Sequence, residues 1–193
     1  QRLALVNKRI VLLASGSGSL AEAVIDAKIP GIEIVSLISD RTAPVVDRAS
    51  SRGINTELIS FQGSPSREEW NERIIYAVEK LHPDLVVSVG FMRVLPARFV
   101  HQFKTINTHP ALLPLFPGAH AVRDALAAGV AVTGSTVHWV DEGVDTGKII
   151  KQREVAILQG DTEESLHERI KIVERTLIVE TLVEYSLNKL KVV

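Results

Sequence analysis

The sequence predicts an α/β protein built on a mostly parallel, twisted sheet with helices on both faces, and three observations carry that prediction. Short continuous apolar runs alternate with amphipathic segments through the first half of the chain, the order in which a parallel sheet and its crossover helices are written. The first apolar run breaks into a Gly-Ser-Gly turn directly before a helical pattern. Two later apolar runs flank a polar loop at a spacing that suits an antiparallel pair in the C-terminal half.

Taken in order, Arg9-Ile-Val-Leu-Leu-Ala14 reads as a buried strand, and Leu20-Ala-Glu-Ala-Val-Ile-Asp-Ala27 as the helix after its glycine turn. Ile32 to Ile38 is a second buried strand closed by Ser39-Asp40, and Val45 to Arg52 a helix that stops near Gly53. The resulting β-α-β unit calls for a right-handed crossover. A short strand follows around Asn55 to Ile59. Arg67 to Leu81 is then an amphipathic helix with Trp70, Ile74, Ile75 and Val78 on its inner side, ended by His82-Pro83. Asp84 to Gly90 is another strand, with a helix from Pro96 to His101.

Thr105 to Thr108 is a short strand that enters a proline-rich loop, Pro110 to Pro117, which regular structure cannot accommodate. Arg123 to Ala128 reads as a helix, and Val132 to Val140 and Gly147 to Val155 as strands pairing across the loop Asp141 to Thr146. Asp161-Thr-Glu-Glu164 has the spacing of a capping box and opens one long helix, or two shorter ones, reaching about Asn188.

A chain of 193 residues buries one substantial core, so a single domain over 1–193 is expected, with an N-terminal half of about 9–104 and a C-terminal half of about 105–193. A net charge of −1 with scattered Lys and Arg offers no stripe for a run of phosphates, which argues against a nucleic-acid partner. The absence of cysteine excludes a thiolate nucleophile and a disulfide framework, and is compatible with a cytoplasmic setting. No apolar stretch approaches the ~20 residues of a membrane span, and the run Ile10 to Ala14 is too short for a secretion signal. The chain opens on Gln1, so a trimmed start is expected. A homodimer is compatible with the sequence.

Gly16-Ser17-Gly18-Ser19-Leu20-Ala21 satisfies G-x-G-x-x-A between a strand and a helix, and Asp40 stands near the place of a dinucleotide fold's ribose-binding acid. An NAD(P)-binding oxidoreductase is therefore one reading. The physics is less selective, because any phosphate gains from close backbone approach and a positive helix end, so a mononucleotide phosphate or a structural turn fits as well.

Asn107-Thr108-His109-Pro110 ends an apolar strand, and residues two apart on a strand point to the same side, so Asn107 and His109 share one cleft. His138, Asp141, Glu142 and Asp145 offer oxygen and imidazole groups that a divalent cation could use.

Asn107-Thr-His-Pro-Ala-Leu-Leu-Pro114, followed by Pro117-Gly118, strongly resembles the N-x-H-P-S-L-L-P signature of the folate-dependent formyltransferases, with Ala111 in place of the usual Ser. His138-Trp-Val-Asp-Glu-Gly-Val-Asp145-Thr-Gly-Lys-Ile-Ile150 resembles the family's second signature. The likeness runs along nearly the whole chain, leaving out residues 1 to about 8, and is greatest to members that formylate glycinamide ribonucleotide. Relatives acting on methionyl-tRNA, or hydrolysing formyltetrahydrofolate, carry an extra domain for which this chain is expected to have no room.

The resemblance implies a Rossmann-like formyltransferase fold, 10-formyltetrahydrofolate as co-substrate, no metal, and small-molecule partners only. It implies a catalytic trio of Asn107, His109 and Asp145. It assigns Gly18, Ser19, Leu20, Pro110, Lys171 and Glu174 to the nucleotide, with Leu20 a departure from the Asn often found there. To the folate it assigns Arg67, Met92, Arg93, Val94, Leu95, Val140 and Asp141, with Asn107 and Asp145 shared. His138 is expected to orient the loop, His120 to support the site from behind, and His82, His101 and His167 to lie at the surface. A formyltetrahydrofolate hydrolase is the rival within the family.

Overall fold

In the computed structural model, which describes residues 7–190, the elements run β1 (Lys8–Ala14), α1 (Ser19–Asp26), β2 (Ile32–Ser39), α2 (Pro44–Ser51), β3 (Thr56–Leu58), α3 (Arg67–Glu79), β4 (Leu85–Ser88), α4 (Ala97–Gln102), β5 (Thr105–His109), α5 (Ala121–Ala127), β6 (Val132–Trp139), β7 (Ile149–Ala156) and α6 (Glu163–Ser186). Residues 1–6 and 191–193, which include most of the stretch left out of the resemblance, lie outside the described residues.

The seven strands form one sheet in the order β3-β2-β1-β4-β5-β6-β7. The first five are parallel, and β6 and β7 run antiparallel to their neighbours. The sequence anticipates the β6–β7 pair but not the antiparallel joint between β5 and β6. There the chain leaves β5 through the proline-rich loop and short α5, then returns along β5 in the opposite sense.

Alternation along each strand divides the core in two. Ile10, Leu12 and Ala14 of β1, with Leu85 and Val87 of β4, face α1, α2 and α6. Val11, Leu13 and Val86 face α3 and α4 and meet the fully buried Trp70 and Phe99. Trp70 is tolerated there because its indole Nε1 donates to the Ile59 carbonyl at 2.9 Å.

α6 is one 24-residue helix. Its capping box is formed by Thr162 and Ser165, not by Asp161 and Glu164: the Ser165 amide donates to Thr162 Oγ1 and the Thr162 amide to Ser165 Oγ. Asp161 is instead taken up by Arg169, at 2.6 Å. Among the described residues no helix is long and apolar enough to cross a membrane.

Candidate active site

The carboxyl ends of β1, β4 and β5, where ligands sit in open parallel sheets, border a cleft of about 460 Å³. The same cleft is closed by residues of the 138–145 segment and by one face of α6. Every residue assigned above from the sequence lines it except Arg67.

Asn107 and His109 are carried by β5, and the register of β5 with β6 sets His138 opposite Asn107, on the same face of the sheet. His138 Nδ1 lies 2.9 Å from the Trp139 carbonyl, so it carries the proton and donates. The opposite nitrogen, Nε2, stands 3.2 Å from the Asn107 amide nitrogen Nδ2. With Nδ2 turned toward His138, the second N–H of the Asn107 amide is left for a ligand.

His109 is buried, with Nε2 at 2.8 Å from the Phe116 carbonyl and Nδ1 at 3.5 Å from Asp145 Oδ2. Both ring nitrogens thus face oxygen acceptors, an arrangement in which an imidazolium would find a partner on each side. Asp145 Oδ2 also accepts the Gly118 amide at 2.8 Å, while Oδ1 lies 3.6 Å from His138 Nε2. Burial pushes the Asp145 carboxyl up, but the His138 contact, the Gly118 amide and the His109 charge outweigh it and hold the group below the ordinary 3.8. Its φ of +55° is left-handed, a conformation that Asp tolerates better than most residues.

The glycine loop is shaped by one close contact. At Gly18, φ is +88°, and a Cβ there would stand 2.7 Å from Val45 Cγ2 and 2.8 Å from Val45 Cα, so only glycine fits under α2. The first intrahelical bond of α1 runs from the Glu22 amide to the Gly18 carbonyl, leaving the preceding first-turn amides for a ligand. Leu20 packs into the core below the loop, so its departure from the family pattern affects no backbone donor.

Residues 90–95 form the opposite wall. Met92 and Val94 are exposed there, while Leu95 is buried against α3 and can offer a ligand only its backbone. Arg67 does not line the cleft: its guanidinium donates to the Val94 carbonyl and lies over the Phe61 and Trp70 rings. It braces the wall from behind, because α3 begins on the far side of that segment. Asp40 is not an open ribose-binding acid, since its fully buried carboxylate accepts from Ser15, Arg41 and Arg93. Burial pushes the Asp40 carboxyl up, but those hydrogen bonds prevail and hold it below 3.8.

On α6, Lys171 and Glu174 face the cleft as their spacing predicts. They do not pair with each other: Lys171 Nζ reaches Glu168 at 3.2 Å. Glu174 is buried, which pushes its carboxyl up to about 7 against the opposing pull of Thr108 and Lys171. His167, one turn before Lys171, lines the cleft and is half-buried rather than at the surface. The i, i+4, i+7 spacing of His167, Lys171 and Glu174 could have disclosed it. His138 is the other residue underrated by the sequence. His120 is exposed at the start of α5 and does not line the cleft.

The carboxylates of the 138–145 segment do not converge as metal ligands. Asp141 accepts from the Gly143 amide and Thr146 Oγ1, and Glu142 pairs with His101.

A mostly parallel sheet reversed at β5–β6 is a fold shared with known transferases. The chain belongs to the formyl transferase family, whose sequence profile matches residues 8–182. It is 46% identical over 189 residues to the phosphoribosylglycinamide formyltransferase of Mycobacterium tuberculosis, covering 96% of this chain and 88% of that protein. The Escherichia coli K12 enzyme of the same name is 36% identical over 174 residues, 87% of this chain and 82% of its own. The crystal structure of glycinamide ribonucleotide transformylase 1 from Symbiobacterium toebii superposes with a TM-score of 0.94 at 34% identity, covering 100% of this chain and 94% of that one.

Proposed function

We propose that this chain transfers the formyl group of 10-formyltetrahydrofolate to the glycyl amine of glycinamide ribonucleotide, giving formylglycinamide ribonucleotide and tetrahydrofolate. The observation that carries the reading is the meeting of Asn107, His109 and Asp145 in a cleft bounded by a phosphate-ready helix start.

The amine attacks the formyl carbon directly, forming a C–N bond and a tetrahedral intermediate whose oxygen is negative. The free N–H of Asn107 donates to that oxygen, held in direction by His138. His109 donates through Nε2, the substrate oxygen taking the place of the Phe116 carbonyl. Asp145 keeps the imidazolium oriented and compensates its charge. The bond from the formyl carbon to N10 of the folate then breaks, and the proton lost by the amine ends on N10.

The amides of Ser19 and Leu20 receive the nucleotide phosphate at the positive end of α1. Lys171 and Glu174 flank the nucleotide, with Glu174 accepting a sugar hydroxyl. Met92 and Val94 supply apolar contact to the pterin, and the backbone of residues 92–95 its hydrogen bonds. The occupied state of Asp40 speaks against a nicotinamide dinucleotide.

The test is absorbance monitoring of 10-formyltetrahydrofolate with the protein, with and without glycinamide ribonucleotide. Deformylation that requires the nucleotide is expected. Deformylation without it would make the protein a hydrolase, and no deformylation by the folded protein would overturn the reading.

A further inference from the structure

We propose that Asp40 is a positioning residue for the folate: its buried carboxylate holds Arg93 directly and Met92 through Ser15, and so fixes the shape of residues 90–95. The inference rests on the assignment of that segment to the folate.

The contacts form a relay with a fixed direction. Ser15 Oγ donates to Asp40 Oδ1 at 2.5 Å and accepts the Met92 amide at 2.9 Å. A hydroxyl has one proton, and because the carboxylate takes it, a lone pair is left facing the Met92 N–H. The other carboxylate oxygen, Oδ2, accepts Arg93 Nε at 2.8 Å and Arg41 Nη2 at 2.9 Å. Arg93 is thereby laid over the Phe61 ring, 3.9 Å from its centroid. Among the described residues the hydrogen bond of its guanidinium runs through Nε alone, so the terminal nitrogens are available at the cleft wall. Backbone contacts finish the attachment: the Ser15 amide donates to the Gly90 carbonyl at 3.1 Å, where the chain turns with a φ of +79°.

The relay needs an acceptor on both sides of the carboxylate. Asparagine has the same shape but one oxygen. If that oxygen faces Ser15, the amide N–H₂ meets the Arg93 and Arg41 donors. If it faces the arginines, the N–H₂ meets Ser15, whose proton is then driven toward the Met92 N–H. Either orientation sets donor against donor and releases one attachment of the segment. The glycine loop and α6, which serve the nucleotide, have no part in the relay.

The experiment compares the full chain with its Asp40→Asn and Ser15→Ala variants by titration calorimetry, using a stable 10-formyl folate analogue and glycinamide ribonucleotide as separate ligands, with thermal unfolding as the folding control. The expected result is an analogue Kd weakened about tenfold in each variant, as for a buried donor left unpaired, and a nucleotide Kd changed less than about twofold. The double variant should weaken binding by less than the product of the single effects, because both act on one relay. Should Asp40→Asn fail to fold, Ser15→Ala carries the test, since it keeps all three charges. An unchanged analogue Kd overturns the proposal alone, as does a nucleotide Kd that weakens in step with it. A parent protein that binds no analogue overturns the folate assignment and the proposal together.

Discussion

Asp145 is approached by two imidazoles and a backbone amide at once, so its charge is committed before any substrate arrives. Loss of one oxyanion donor costs ~10²- to 10³-fold in rate, and Asn107→Ala and His109→Ala should each lower kcat by at least that amount. Calorimetry should show their nucleotide affinity retained. Asp145→Asn keeps the shape but not the charge opposite His109; kcat should fall and the acidic limb of the pH–rate profile should move, whereas an unmoved profile would free Asp145 of that role. Glu174 is a separate matter, since burial has raised its carboxyl to about 7 and a sugar hydroxyl favours the ionised form. Nucleotide affinity should therefore drop by up to about tenfold per unit as pH falls below that value. Glu174→Gln should remove this component of the pH dependence, leaving whatever the phosphate itself contributes. That Asn107, His109 and Asp145 would share one cleft was legible in the sequence because they lie in two compact signatures. His138 was in view too, but its part depends on β5–β6 register, which places it across from Asn107 and which no local pattern encodes.

At the scale of elements, α1 and α2 touch so closely over Gly18 that the loop has one workable shape. Gly18→Ala must both adopt a φ of +88° and displace Val45 backbone, because the added methyl would lie 2.8 Å from Val45 Cα. A destabilisation of about 1–3 kcal/mol is expected, read as a lower Tm, together with weakened nucleotide binding. The proline-rich loop is held in a comparable way by β6 and β7. Thr136 Oγ1 donates to the Ala111 carbonyl at 2.7 Å and accepts the Leu113 amide at 3.2 Å, and Gln152 Nε2 donates to the Leu113 carbonyl at 2.7 Å. Gln152→Ala should loosen the segment that presents Phe116 to His109, with kcat reduced more than nucleotide affinity in steady-state and binding measurements. The element order was readable from apolar periodicity, and most ends fell within a residue or two. The capping box was misplaced by one residue, since both Asp161 and Thr162 are good caps and only the Arg169 contact removes Asp161 from the choice.

Over the whole molecule the titrating groups pull stability in opposite directions. Asp40 and Asp145 are held below their ordinary 3.8, so their contributions are present above that value and vanish as pH falls through the lower folded ones. Glu174 is raised from 4.5 to about 7, so its contribution is complete below 4.5 and is lost as pH climbs through about 7. The ligand-free protein should accordingly show its highest Tm on the acid side of neutrality, with a decline toward alkaline pH that Glu174→Gln abolishes and that added nucleotide offsets. A flat Tm between about pH 5 and 8 would refute this balance. The sequence by itself determined the alternation of strands and helices, the glycine turn and the Asn-His and Asp signatures, because each is written in residues a few positions apart. Only the tertiary structure decided that β6 reverses beside β5, that the Asp40 carboxylate is taken up by Ser15, Arg41 and Arg93, that Arg67 stands behind residues 90–95, and that Glu174 is dry enough to titrate near neutrality. These outcomes depend on register, burial and partners brought from distant parts of the chain, and the free energy of each contact is set by surroundings that exist only once the sheet has closed over them.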